Sequence, residues 1–422
     1  MKVLWFTNTS CSASEYLLHD NMRGGWLSSL ERPLSQFEEI KLFVAFYHSK
    51  KIQPFKYNNT QFYPIFRKNS GSKLQRFYSR LLNFNNDIKE VQELIRIAEE
   101  IRPDIIHVHG TEDNFGLIQY YLDVPVIISM QGIITPYLEK FYAGIPEEII
   151  RKFTSLKSKI LRKSAGYHYN SFKLKANREL EILKISQNIL GRTDWDRRVS
   201  RILAPQSTYF IGQEMLRNFF YSNIWGKSAF NKKIRIITVS SESFYKGFET
   251  IVKSAKLLSA HCDFSFEWLV VGLSKNSEIV KIAESWLQIN TEELNIQLVG
   301  EIQEVEVGNL ILSSDIFCQV SHIENSPNSL CEAMMLGIPI IATCAGGTTS
   351  IFENGKDGLL IQAGDPYTLS GAIIEMSNDF VQAQKFSKLT QVKAKNRHNK
   401  TDILNDLITV YRSVQRKGHN IV

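Results

Sequence analysis

The stretch SHIENSPNSLCEAMMLGIPIIATCAGG, residues 321–347, passes from an apolar run through a polar loop into a short helical segment and then into a second apolar run. Ile316 to Val320 before it reads as a strand, and so does Ile338 to Thr343 within it. Between them Ser326, Pro327, Asn328 and Ser329 form a turn whose last members are good helix N-caps. The expected helix starts near Ser329 and ends at Gly337, with Pro339 soon after. A strand, a loop, a helix and a second strand make one unit of a parallel α/β sheet.

Working outward, the same unit recurs. Ile234 to Val239 opens a series of apolar runs that continues at Phe264 to Val271 and Ile296 to Val299, each trailed by a helical pattern. Upstream, Lys2 to Thr7, Ile40 to Phe46, Ile105 to His109 and Val124 to Met130 read as strands, and Ile88, Val91, Leu94, Ile95, Ala98 and Ile101 recur at helical spacing. The polar stretch Ser222 to Lys233 separates the two series. The fold class is therefore α/β, with two Rossmann-like doubly wound domains: residues 1–225 and residues 232–401. An amphipathic helix within 402–422 is expected to rejoin the first. Two such domains are expected to face a cleft, with ligands at the carboxyl ends of the strands.

Composition excludes several classes. With 43% hydrophobic and 22% charged residues the chain is that of an ordinary globular protein. No stretch reaches the ~20 apolar residues that cross a bilayer, and the first apolar run is too short for an export signal, so a cytoplasmic location is expected. Cys11, Cys262, Cys318, Cys331 and Cys344 lack paired spacing, which predicts reduced thiols rather than disulfides or zinc. Residues 151–201 hold fourteen Lys or Arg against four Asp or Glu, within a chain of net charge +7. That region is either a solvated face or a peripheral contact with anionic lipid at the inner face of a membrane. No recognition motif for nucleic acid lies among these charges.

The chemistry concentrates in the opening stretch. Free amides at a helix N-terminus, with the dipole behind them, suit the diphosphate of a nucleotide sugar. Ser326, Asn328, Ser329 and Leu330 stand at that point. Glu332, one turn in, can accept from both hydroxyls of a ribose, and Glu324, with seven residues between them, lies where a sugar would project. Ser329-x-x-Glu332 also reads as a capping box, which would account for Glu332 by helix initiation alone.

The full string resembles the signature of glycosyltransferase family 4: a Glu, seven residues, a second Glu running into E-A-M-x-x-G-x-P, then a Gly-Gly loop. Glu332-Ala333-Met334, Gly337, Pro339 and Gly346-Gly347 stand at those positions. The resemblance is to bacterial surface-polysaccharide transferases. It implies a GT-B fold, retention of anomeric configuration, no metal or other cofactor, and a UDP- or GDP-sugar as donor. It further implies a glycan or lipid-linked acceptor. On this pattern Glu332 holds the ribose, Glu324 contacts the donor sugar, and Lys246 of Tyr245-Lys246-Gly247 neutralises the pyrophosphate. An arginine common five residues before that lysine is replaced by Ser241, a gap that Arg192 would fill from the first domain. Gly24-Gly25-Trp26 resembles the glycine loop through which that domain meets the donor, and is equally an ordinary turn. Gln131 stands where the family often has histidine near the donor sugar; it can still hydrogen-bond a sugar hydroxyl but cannot act as an acid or base, which argues against a mechanism that needs histidine there.

His107 and His109 alternate along a strand and are expected to point to opposite faces, too far apart for a metal pair. Rival functions are a nucleotide-sugar epimerase or phosphorylase on the same fold, and a two-lobed sugar-binding protein, which the missing export signal disfavours. A dehydrogenase is weaker still, since the first strand runs into Asn8-Thr9-Ser10 rather than G-x-G-x-x-G.

Overall fold

The computed structural model describes residues 1–17, 25–67, 83–156, 158 and 164–419. They form two compact units, each built on a sheet. The first unit comprises Met1–Ile134, Lys175–Met215 and His398–Val422, and the second Thr135–Leu174 and Leu216–Arg397.

The first sheet contains β1 (Lys2–Thr7), β2 (Lys41–His48), β3 (Phe55–Tyr57), β4 (Thr60–Phe66), β5 (Ile105–His109), β6 (Val126–Ser129), β7 (Asn188–Gly191) and β8 (Thr208–Ile211). Their order is β3-β4-β2-β1-β5-β6-β7-β8, and all neighbours are parallel except β3 with β4. Strands buried on both faces are apolar at nearly every position, and period-two alternation sorts the side chains between two cores. Val3 and Trp5 join Val44 and Ile105 against Ile403, Leu407 and Tyr411 of helix Lys400–His419. Leu4 and Phe6 join Ile106 and Val108 against Val91, Leu94 and Ala98 of helix Asn83–Ile101. The closing helix is pinned by a polar chain: Trp5 Nε1 donates to Tyr411 Oη at 2.8 Å, which meets His107 Nδ1 at 2.7 Å, and His107 Nε2 meets Ser129 Oγ at 2.7 Å.

The second sheet contains β9 (Lys233–Val239), β10 (Ser265–Val271), β11 (Ile296–Gly300), β12 (Ile316–Gln319), β13 (Ile340–Thr343) and β14 (Leu359–Ile361). Its order is β11-β10-β9-β12-β13-β14, and every pair is parallel. The chain runs outward from β9 to one edge and then returns to β12 beside it, so the topological switch point lies between β9 and β12. The fold class expected from the sequence, α/β with two Rossmann-like parallel-sheet domains, is the one observed.

The expected division near residues 225 and 232 differs from these units most in one long segment, and the second unit also begins earlier, at Leu216, and ends at Arg397. Residues 135–174 belong to the second unit because Phe141, Ile145, Ile150 and Ala165 share a core with Ile236, Phe248 and Ile251. The stretch 222–233 is also firmly held in that unit. Buried Asp315 accepts from Lys227 Nζ at 2.7 Å, Asn231 Nδ2 at 2.9 Å and the Arg235 amide at 2.8 Å. Trp225 lies over the same corner, its amide donating to the Leu336 carbonyl and its indole to that of Ser314. No described helix is long and apolar enough to cross a membrane. All five cysteines are free thiols, of which Cys11, Cys318 and Cys331 are buried.

Candidate functional site

In the second unit the loops leaving β9 and β12 meet at the switch point. β9 leads to a single turn at Phe244–Lys246, closed by Gly247 in the left-handed region at φ 77°. A Cβ at Gly247 would lie 2.1 Å from the Val320 carbonyl oxygen, so only glycine lets this turn press against the loop after β12. The His322 amide donates to the Tyr245 carbonyl at 2.7 Å, tying the two loops together. On the far side Gly346 sits at φ 52°, where a Cβ would come within 2.0 Å of the Glu324 carbonyl oxygen, and the Gly347 amide donates to that carbonyl at 2.8 Å. The glycines of Lys246-Gly247 and Gly346-Gly347 thus clamp residues 320–324 from both sides.

This clamp sets the carboxylate of Glu324, which is 6% exposed. Lys246 Nζ donates to Glu324 Oε1 at 2.5 Å and Ser321 Oγ donates to the same oxygen at 2.7 Å. Burial pushes the Lys246 ammonium down, but the charge of Glu324, the neighbouring Tyr245 and the hydrogen bond outweigh it and leave its pKa above the usual lysine value. The two side chains therefore share one half-buried spot, with the ammonium held charged by its partner.

The helix beyond runs Asn328–Leu336, with Pro327 as N-cap and Gly337 at φ 77° as C-cap. It starts one residue earlier than expected. Consequently the Leu330 and Cys331 amides both turn back to the Pro327 carbonyl, at 3.0 and 3.1 Å, and the Leu330 side chain is buried in the core. Asn328 and Ser329 now carry the first two amides, which have no partner within the helix. Ser326 is buried, with its Oγ 3.9 Å from Cys331 Sγ and 3.5 Å from Arg397 Nη2.

Glu332 is not part of a capping box: the N-cap side chain makes no capping bond. Its two oxygens instead accept from Arg217 Nε and Nη2, both at 2.7 Å. Burial raises the Glu332 pKa, Arg217 opposes that rise, and Glu304 adds to it. Arg217 went unread in the sequence because nothing local marks it: it lies 115 positions from its partner, in a connecting segment. A second unread pair is His322 with Glu249, Nε2 to Oε1 at 2.7 Å, in contact with the backbone at Gly144.

The remaining sequence candidates follow carboxyl ends of strands in the first unit. Gly25 comes after β1 at φ 61°, while Gly24 lies outside the described residues. Gln131 follows β6 and is half-buried. Arg192 follows β7, is buried, stacks on the Trp26 ring at 4.4 Å and lies 3.7 Å from Glu214 Oε2. His107 and His109 do not diverge. Residues two apart on a strand share a face, and their rings lie 3.9 Å apart against Trp5. Burial lowers the His107 pKa to about 3. Burial first, then His107 and Arg192, hold His109 well below the usual value, so the two rings sit together as neutral imidazoles.

Residues 222–393 match the family model of glycosyl transferases group 1. The amylovoran biosynthesis glycosyltransferase AmsK of Erwinia amylovora is 24% identical over 161 residues, a match spanning 37% of this chain and 39% of AmsK. The sucrose-phosphate synthase of Thermosynechococcus elongatus superposes with a TM-score of 0.71 at 12% identity, over 98% of this chain and 99% of the other. HepE of Anabaena, solved with UDP and glucose, superposes with a TM-score of 0.65 at 14% identity over 98% and 100%. Both solved structures share the two-sheet GT-B architecture described above. The segment that carries Lys246, Glu324 and Glu332 thus matches the model of glycosyl transferases group 1, and the whole chain has the fold of GT-B structures.

Proposed function

We propose that this chain is a retaining, metal-independent glycosyltransferase of the family 4 type. It moves a sugar from a UDP- or GDP-sugar to a hydroxyl of a lipid-linked or oligosaccharide acceptor in surface polysaccharide synthesis. One observation carries the proposal: Lys246 and Glu324, from the loops after adjacent strands β9 and β12, meet at a topological switch point beside a helix N-terminus. The UDP and glucose in the HepE structure and the polysaccharide named for AmsK support the choice of donor and pathway.

In this mechanism the donor diphosphate rests on the amides of Asn328 and Ser329 and on Lys246, with Gly346 and Gly347 closing the loop around it. Glu332 takes the ribose hydroxyls and Glu324 those of the transferred sugar. As the anomeric C–O bond to phosphate breaks, charge grows on the departing phosphate oxygen, where Lys246 counts most. The acceptor oxygen bonds to the anomeric carbon on the same face, and its proton passes to that phosphate oxygen. No protein base is required, which suits glutamine at position 131. Arg192, engaged with Trp26 and Glu214, has no assigned part. The +10 balance of residues 151–201 supports work at the anionic inner face of a membrane, on the cytoplasmic side.

Incubation with a panel of UDP- and GDP-sugars and lipid-linked or oligosaccharide acceptors, read by NMR, tests this. The product anomer is expected to match that of the donor, at a rate unchanged by EDTA. Inversion, loss of activity with chelator, or epimerised donor in the absence of acceptor would overturn the corresponding part of the proposal.

A further inference from the structure

The clamp around residues 320–324 leaves the His322–Glu249 pair without a part. Glu249 stands in the first turn of helix Phe248–His261 and is 1% exposed. Its Oε1 accepts from Thr250 Oγ1 at 2.7 Å and from His322 Nε2 at 2.7 Å, while Oε2 is buried without a partner among the described residues. A carboxylate buried in this way is costly unless it is paired, and the pairing sets the ring hydrogen on Nε2. The ring has no room to turn. Gly144, at φ 86°, lies over the bond, where a Cβ would stand 2.5 Å from His322 Nε2. Gly364, at φ 76°, lies against the next edge, where a Cβ would stand 3.0 Å from His322 Cε1. Only glycine permits either approach.

We propose that His322 is a positioning residue for the Lys246–Glu324 pair: anchored by Glu249, its imidazole fixes residues 321–324 against the loop after β9, so that the Glu324 carboxylate meets the ammonium. Its catalytic consequence rests on the part given to that pair in the proposed function. The chain order makes the tie effective. The His322 amide donates to the carbonyl of Tyr245, next to Lys246, and Glu249 follows Lys246 by three residues. Ser321 and Glu324 flank His322 closely, and Ser321 Oγ donates to the same Glu324 oxygen that Lys246 holds. Gly247 and Gly346 allow the loops to approach, but an approach allowed is not an attachment. The bond between His322 and Glu249 joins the segment that supplies the carboxylate to the helix that continues from the ammonium. The pair itself reports the effect. Burial lowers the Lys246 pKa, and the Glu324 charge, Tyr245 and the hydrogen bond from Glu324 together hold it above the usual value. Once the carboxylate drifts, burial meets less opposition and the ammonium loses its proton at lower pH.

Two measurements on the full chain test this: an NMR titration of ¹³Cε-labelled lysine, with the Lys246 signal assigned by Lys246→Arg, and steady-state sugar transfer. In His322→Ala the Lys246 titration is expected to fall by about one to three units, the reach of one close opposite charge. The turnover number is expected to fall about tenfold to a hundredfold, the cost of a small misplacement at the reacting centre, with the KM for the donor changed less. Glu249→Ala is expected to do the same, and the double variant no more than the worse single one. His322→Gln, whose amide N–H can still reach Glu249, is expected to recover most of both losses. Where His322→Ala does not fold, His322→Asn, whose shorter amide stops short of Glu249, takes its place with the same expectations. Wild-type turnover and Lys246 titration in His322→Ala, or His322→Gln as impaired as His322→Ala, would overturn the inference. So would lost turnover with the Lys246 titration unmoved, since His322 would then act apart from the pair. Absence of transfer by the wild type would remove the proposed function instead, and the NMR titration would still decide whether His322 holds the pair.

Discussion

Replacing Glu324 by Gln is expected to lower the turnover number by about 10²- to 10³-fold, the range found when one preorganised electrostatic partner of a transition state is removed. The KM for the donor sugar should change less than the turnover number, because Glu324 meets the transferred sugar beside Lys246, where charge grows as the bond to phosphate breaks. The coupled partner sharpens the test. Lys246 Nζ and Ser321 Oγ converge on one oxygen of Glu324, so Lys246→Ala should cost as much as Glu324→Gln, and the double variant no more than the worse single one. Additive losses across that cycle would mean that the two side chains act separately. Thermal unfolding of each variant distinguishes catalysis from folding, since breaking a buried pair leaves a charge uncompensated and costs about 3–5 kcal/mol of stability at most.

Glu332→Ala should give the opposite division of kinetic effect. The ribose keeps the same hydroxyls from donor complex to transition state, so an interaction with them is uniform binding. Steady-state kinetics should show a KM for the donor raised about tenfold to a hundredfold, with the turnover number at saturation nearly intact. A turnover number that falls in step with kcat/KM would place Glu332 at the reacting bond and exchange the roles of the two glutamates.

The sequence showed one half of this arrangement more clearly than the other. β1, β5, β10, β12 and β13 are apolar runs bounded by turn residues, and their near-complete burial made them easy to find. β3, β7, β8 and β14 have only three or four residues each, and β4 carries Pro64. Runs that short have no period to read, and proline argues against a strand interior. The assignment of residues 135–174 to the second unit depends on where Phe141 and Ile145 find their core, which helical spacing does not encode.

At the site, Glu324, Lys246 and the paired glycines were legible because each follows a strand end at a fixed offset. The glycine positions now have a physical reason in the close approach of Gly247 to Val320 and of Gly346 to Glu324. Arg217 was not legible, since an ion pair across 115 residues is a product of the fold. The histidines were misread for a different reason: the period of a strand is two, so His107 and His109 stack on one face, and burial fixes both as neutral groups.

The central claim is that the loops after β9 and β12, with the start of helix Asn328–Leu336, form the donor diphosphate site. Hydrogen–deuterium exchange of the full chain, with and without saturating UDP or GDP, reads those amides directly. Protection is predicted to concentrate at residues 244–248, 321–332 and 345–348. Bound nucleotide that leaves these three segments exchanging at their free rates would contradict the account.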